Sequence, residues 1–201
     1  FGAFRSAADQ LRTALAGLTD VAKFQGRKVT VGDESIFAAA ASPASVPGSY
    51  AVEVVDLALA HKLQSIDFSG TSAAIGTGTL TIAVGGTAMA LTIDDSNKTL
   101  AGIRDAINNA SNNPGVTATI VTGTLGSRLV LTGTDTGAAE TIRVTQSGGD
   151  GGLAQLVYDP GVATALTETQ AASDARILID GIEAVSSTNV FADVVTGVEI
   201  T

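Results

Sequence analysis

His61 is the only histidine among 201 residues, and its neighbours are Ala60 and Lys62. A metal centre or a nucleophile–base–acid triad needs two or three partners at set geometry, so His61 by itself reads as a solvent-facing or edge residue. Asp94-Asp95 is a carboxylate pair, but adjacent residues at a strand end face opposite ways, which suits strand-terminating turn residues. Gly76-Thr77-Gly78-Thr79 lacks the third glycine and the following helix of a phosphate cradle. Gly148-Gly149-Asp150-Gly151-Gly152 is similar to a calcium-binding nonapeptide repeat, yet it occurs once and such repeats work only when stacked, so it reads as a surface loop. Cysteine is absent, which excludes thiol nucleophiles, thiolate metal sites and disulfide scaffolds. With two tyrosines and four lysines scattered over turns and strand ends, no catalytic, cofactor or metal site is expected, and the chain is not expected to be an enzyme.

The elements that would position such groups are read from period and punctuation. Hydrophobic residues make up 45% of the chain but aromatics only 4%, with 23 Gly and no Trp. Small and β-branched side chains in that proportion point to pleated sheet with thin cores. The formal net charge of −9 is uneven: residues 1–30 balance at +3 and the remainder at −12. Such a body repels phosphate backbones, so nucleic acid is excluded as a partner. No apolar run reaches the ~18 residues that span a bilayer, and no membrane segment is expected.

Phe4, Ala8, Leu11, Leu15 and Leu18 recur at spacings of four and three, one stripe of a helix in the a/d rhythm of a coiled-coil seam. Gly17 and Phe24-Gln25-Gly26 mark where it fades. Packing on the helix's own domain and pairing with another helix both fit two heptads, and a helix this short must pack against something. From Tyr50 to Val55 the pattern alternates as a strand with one wet face, with an extension over Leu57–Leu63. Residues 69–78 read as a linker. Leu80, Ile82, Val84 and Met89, Leu91, Ile93 alternate on either side of Gly85-Gly86, a hairpin. Thr99 is placed as the N-cap of a helix with Leu100, Ile103 and Ile107 on one side, broken by Asn112-Asn113-Pro114-Gly115. Strands over Val116–Val121, Arg128–Leu131 and Thr141–Val144 complete a β-β-α-β-β-β unit. The glycines at 148–152 and Asp159-Pro160-Gly161 end it, and Thr164–Asp174 reads as a polar connector. Ile177–Ile179, the Asp180-Gly181 turn, Ile182 and Val185 form a second hairpin. Ser187-Thr188-Asn189 is read as a cap over a helical turn at 190–194, followed by a strand at Val198–Ile200.

Four blocks carry a resemblance. They run from Val46-Pro-Gly-Ser-Tyr-Ala-Val-Glu-Val54 to Leu57-Ala-Leu-Ala-His-Lys-Leu63, and from Thr99-Leu-Ala-Gly-Ile-Arg-Asp-Ala-Ile-Asn108 to Gly115-Val-Thr-Ala-Thr-Ile-Val121. Ser127-Arg-Leu-Val-Leu-Thr132 with Thr134–Gly137, and Asp174-Ala-Arg-Ile-Leu-Ile-Asp-Gly-Ile182 with Thr196–Thr201, complete them. In this order and spacing, over nearly the whole chain, they resemble the bacterial flagellar filament cap family, FliD or hook-associated protein 2. The last block is also similar to a motif shared among hook-associated proteins and flagellins.

That resemblance implies an α+β, mostly β chain: two β-rich head domains, the second inserted into the first, preceded by a short leg helix. Mapped here, 1–30 is a leg fragment, 31–68 with 172–201 the first head domain and 69–171 the inserted second one. Phe4, Leu11, Leu15 and Leu18 are then leg-packing residues whose partner helix lies beyond Thr201, and the chain is a piece of a longer protein. The implied function is structural. A homo-oligomeric ring at the distal tip of the flagellum, outside the cell, retains exported flagellin and promotes its folding and insertion. The flagellar type III route exports the subunit. Implied partners are further copies, flagellin and an export chaperone, and the alternative is an adhesion module contacting host mucin or matrix. No cofactor is implied. For adhesion, Tyr50 and Tyr158 are the candidate stacking residues and the turns at Gly85-Gly86 and Gly148–Gly152 the candidate contacts.

Overall fold

The computed structural model describes residues 1–18 and 26–201, so Phe24-Gln25 and the side chain of Leu18 lie outside what is described. The chain is α+β and mostly β, and its backbone forms two compact units, 1–51 with 190–201 and 52–189. In the smaller unit, helix α1 (Gly2–Leu18) precedes a three-stranded antiparallel sheet. Its strands are β1 (Ala39–Ala41), β14 (Phe191–Val195) and β15 (Val198–Ile200), in the order β1-β15-β14. The helical turn expected at 190–194 is therefore a strand. Two facts explain it: Thr196-Gly197 closes a hairpin that pairs Phe191 with Ile200, and the Asn189 side chain is spent elsewhere, accepting from the Ala58 N–H and donating to its carbonyl.

The larger unit opens with β2 (Val52–Asp56), which pairs with β12 (Ala175–Ile179), itself the partner of β13 (Ile182–Ser186). The β12–β13 hairpin turns through Asp180 and Gly181 at φ +49° and +81°, the left-handed pair that a two-residue turn requires. Two further antiparallel sheets follow. One has the order β10-β9-β8-β4-β5, from β4 (Gly78–Val84), β5 (Thr87–Ile93), β8 (Arg143–Ser147), β9 (Tyr158–Asp159) and β10 (Ala163–Thr164). The other has the order β11-β3-β7-β6, from β3 (Lys62–Gln64), β6 (Val116–Thr122), β7 (Ser127–Gly133) and β11 (Thr167–Gln170). Helix α2 (Leu100–Asn108) lies between β5 and β6 in sequence.

One core joins these two sheets. Leu80, Ile82, Val84, Met89 and Ile93 enter it from the first, Leu63, Ala118, Leu129 and Leu131 from the second, and Leu100, Ile103 and Ile107 from α2. The α2 boundary follows local chemistry: Thr99 Oγ1 accepts from the Gly102 N–H at 3.1 Å, satisfying one of the free amides of the first turn. The expected β-β-α-β-β-β order is present, but divided between two sheets rather than forming one. The stretch 69–78 is no loose linker: Ile75 is buried in the core and Ala74 bridges to Thr99. The strand at 52–56 does not extend through Leu63; β3 begins anew at Lys62 and, from the first-head side of the boundary expected at 68/69, pairs with β7. Nor is 164–174 a connector, since Leu166 is buried and β11 pairs with β3. The 148–152 run is held down as well. A Cβ on Gly149 or Gly152 would collide with the carbonyls of Thr77 or Ile75, and Asp150 Oδ1 accepts from the Thr77 and Gly152 amides at 2.9 Å.

Candidate functional site

Two places combine apolar or titratable groups in ways that ordinary surface residues do not. The first is α1. Its apolar stripe forms as the spacing requires, but Phe4, Leu11 and Leu15 remain 80%, 63% and 52% exposed. On the polar side Arg12 pairs weakly with Asp9 at 3.9 Å, and the Thr13 hydroxyl donates to the Asp9 carbonyl at 2.9 Å. An amphipathic helix that leaves three large apolar side chains in water has not yet buried the surface that stabilises it; each such burial contributes about 1.5–3 kcal/mol.

The second is around His61. The expectation of a solvent-facing histidine is overturned, because its ring is fully buried. The buried Ile142 N–H donates to Nδ1 at 3.0 Å, so the proton of the neutral ring sits on Nε2 and points at Glu168 Oε2, 3.0 Å away. The same carboxylate oxygen accepts from the Tyr158 hydroxyl at 2.6 Å, and the Tyr158 and His61 rings lie 5.6 Å apart at 52°. Four strands or their immediate flanks supply the cluster: the residue before β3, the residue before β8, β9 and β11. The chemistry is mutual satisfaction. Hydrogen bonds from Tyr158 and then His61 hold the Glu168 carboxyl below the usual carboxylate range. Donation to that carboxylate, helped by burial, pushes the Tyr158 phenol up to about 12. Both ring nitrogens of His61 are committed, and the arrangement clasps β11 to the sheet. Tyr158 is thereby withdrawn from any stacking role, while Tyr50 is exposed.

Nothing local in the sequence links these residues to one another, because Glu168 is 107 residues from His61 and Tyr158 lies beside the Asp159-Pro160-Gly161 turn. The signal available was the apolar flank Leu57–Leu63, which argues for burial of whatever it contains. Asp94 does act as a turn residue, accepting from the Ser96 amide and hydroxyl, and Asp95 pairs with Lys98. Two bidentate ion pairs, Arg128–Asp67 and Arg143–Asp159, tie loop to strand and strand to strand.

The chain thus combines a helix with an exposed apolar stripe and a mostly β body in which His61, Tyr158 and Glu168 satisfy one another. Residues 1–61 match the family described as the flagellar hook-associated protein 2 N-terminus, and residues 79–135 the flagellin hook IN motif. The B-type flagellar hook-associated protein 2 of Pseudomonas aeruginosa PAO1 is 40% identical over 98% of this chain and 44% of its own length. The crystal structure of the flagellar cap protein FliD D1-D2-D3 domains from Escherichia coli covers all of this chain and 57% of that one, at 29% identity and TM-score 0.86. The crystal structure of FliD (HAP2) from Pseudomonas aeruginosa PAO1 covers 82% of this chain and 76% of that one, at 38% identity and TM-score 0.70. The chain belongs to the flagellar hook-associated protein 2 (FliD) family. It spans less than half the length of the curated relative quoted.

Proposed function

We infer that this chain is the head-and-leg portion of a structural subunit of the flagellar filament cap. In this reading identical subunits form an oligomeric plate at the filament tip, outside the cell, which retains exported flagellin and promotes its folding and insertion. The reaction is assembly, with no covalent chemistry. Partners are further copies, flagellin and, before export by the flagellar type III route, a chaperone. Residues 1–30 form part of the leg, 31–68 with 172–201 the first head domain, and 69–171 the inserted second. Support for an insertion comes from β2 and β12, which share one sheet although Asp56 and Arg176 are 120 residues apart.

The observation that carries the reading is the uncovered stripe Phe4, Leu11 and Leu15, with Leu18 continuing its spacing. A leg helix needs such a face for a partner helix. The test replaces Leu11→Asp and Leu15→Asp in the full-length protein and supplies it to cells lacking their own copy. Cap function requires that unassembled flagellin accumulates in the medium and swimming is lost, while the β body stays folded. Full restoration of swimming by the variant refutes the role of the stripe. The alternative, adhesion to mucin or matrix, has less support because Tyr158 is buried and Tyr50 is the single exposed tyrosine. Removal of 69–171 that spares motility but abolishes attachment would favour it.

A further inference from the structure

β11 is a short edge strand with one neighbour. It is four residues long and pairs with β3 at three positions, with a register shift between Glu168 and Gln170. Thr167, Glu168 and Thr169 lie at the surface, while Leu166 just before them is buried. Two side-chain bonds supplement the pairing: Gln170 Nε2 donates to the Ala60 carbonyl at 2.6 Å, and the Thr169 hydroxyl to the Lys62 carbonyl at 3.3 Å. The remaining tie is the Glu168 carboxylate on Tyr158 and His61. This tie accepts only one protonation state of the imidazole. Nδ1 accepts the Ile142 N–H, and Nε2 carries the proton that faces Glu168. A second ring proton has to go on Nδ1, where it meets the Ile142 N–H, donor against donor. The ring is fully buried, and a backbone N–H cannot rotate away as a hydroxyl would.

The surrounding charges do not relieve that conflict. Arg143 of β8 and Asp159 of β9 hold each other in a bidentate pair, and Arg128 of β7 is held by Asp67. Lys62 follows His61 in sequence, but strand alternation sets it on the opposite face of β3 from the buried Leu63. Between β7 and β8, Asp135 lies toward Gly115 and Glu140 against Gly85. Among the described residues, Glu168 and Tyr158 are the titratable groups that face the ring. Both keep their charge state from about pH 7.5 to about pH 5.5, because the Glu168 carboxyl sits below the usual carboxylate range and the Tyr158 phenol is pushed up to about 12. The Glu168 carboxylate favours a cationic ring, but it acts at Nε2, which is already protonated, and its side chain is 40% exposed to screening water.

We propose that the clasp is a proton-operated latch: His61 takes a second proton only when its ring has parted from Ile142 and Glu168, so mild acid releases β11 from the edge of its sheet. The strand is the part that moves, since it is the exposed member of the cluster and the His61 backbone is held by the Gly133 N–H. An imidazole in water takes its proton near pH 6.5, about one proton is bound on release, and the released state therefore gains about tenfold per pH unit below that value. The closed state prevails above it and is lost as pH falls. Release uncovers Leu166 and the β3 edge. The latch lies within the larger unit and does not rest on the cap reading.

Amide exchange in the full chain reads the latch directly, because the Ile142 N–H donates to the ring itself. From about pH 7.5 to about pH 5.5 the protection factor of Ile142 should fall about tenfold, and protection of the β11 segment with it, while amides of the central strand β4 keep theirs. His61→Asn places an acceptor oxygen near the Nδ1 position and takes no proton, so Ile142 protection in that variant should not vary over the same range. Ring nitrogen shifts of the unaltered chain give a reading independent of any substitution: an Nε2–H ring at the upper pH, passing to imidazolium in step with the loss of Ile142 protection. An imidazolium that forms while Ile142 stays protected overturns the latch, because the proton has then entered the closed clasp. Constant Ile142 protection across the range also overturns it, as does a pH response that persists in His61→Asn.

Discussion

The two helices carry the same kind of apolar stripe and meet opposite fates. α2 buries Leu100, Ile103 and Ile107 completely beneath two sheets, whereas α1 holds Phe4, Leu11 and Leu15 in water. Helical period selects which residues share a face in both. For α2 that face is covered by the flanking strands β5 and β6 and the core they enter, whereas the stripe of α1 stays exposed among the described residues. The contrast teaches that an unsatisfied stripe is a statement about a partner, and a satisfied one about a core.

The sharpest way to break the comparison is to truncate equivalent positions. Ile103→Ala should destabilise the chain by about 2–4 kcal/mol, the transfer and cavity cost of a fully buried side chain. Leu11→Ala should change it by less than about 0.5 kcal/mol, since the side chain already faces water. Urea unfolding followed by circular dichroism measures both, and equal losses would show that α1 is packed in solution. A smaller effect is expected at the clasp. His61→Ala leaves the buried Ile142 N–H without an acceptor, a cost of about 1–3 kcal/mol in the same assay. The clasp also has a pH signature. Glu168 titrates lower when folded than unfolded, so its contribution is present above the ordinary carboxylate pKa and is lost as pH falls through the folded value. Glu168→Gln should therefore flatten the acid limb of the stability curve below about pH 4.5; an unchanged limb would remove Glu168 from the account. Among the buried and capping contacts the smallest effect belongs to the start of α2, where Thr99→Ala should cost about 1 kcal/mol and Thr99→Ser much less. If the two substitutions are equivalent, the Thr99 hydroxyl is not what starts the helix.

Local chemistry was legible wherever the decisive partners lay within a few residues. The Gly85-Gly86 hairpin, the Asp180-Gly181 turn and the Thr99 cap each depend on a backbone conformation or a bond that neighbouring residues specify. Reading failed where the partner was distant. Val190–Val194 had caps and composition suited to a helical turn, and pairing of β14 with β15 outweighed them. Residues 164–174 looked polar enough for a connector, yet pairing with β3 made part of them a strand. His61 looked solitary because Glu168, Tyr158 and Ile142 are each more than 80 residues away.

The amino-acid sequence by itself determined the mostly β character, the turns, the position of α2 and the apolar stripe of α1, since all of these follow from period and from residues that restrict their own dihedral angles. Only the tertiary structure decided that the five strands of the β-β-α-β-β-β order divide between two sheets, that the lone histidine is a buried clasp, and that Asn108 and Asn113 bond the Val116 and Ala118 backbone on the outer edge of β6. Pairing and burial bring together groups distant along the chain, and such contacts leave no periodic trace in the residues near either partner.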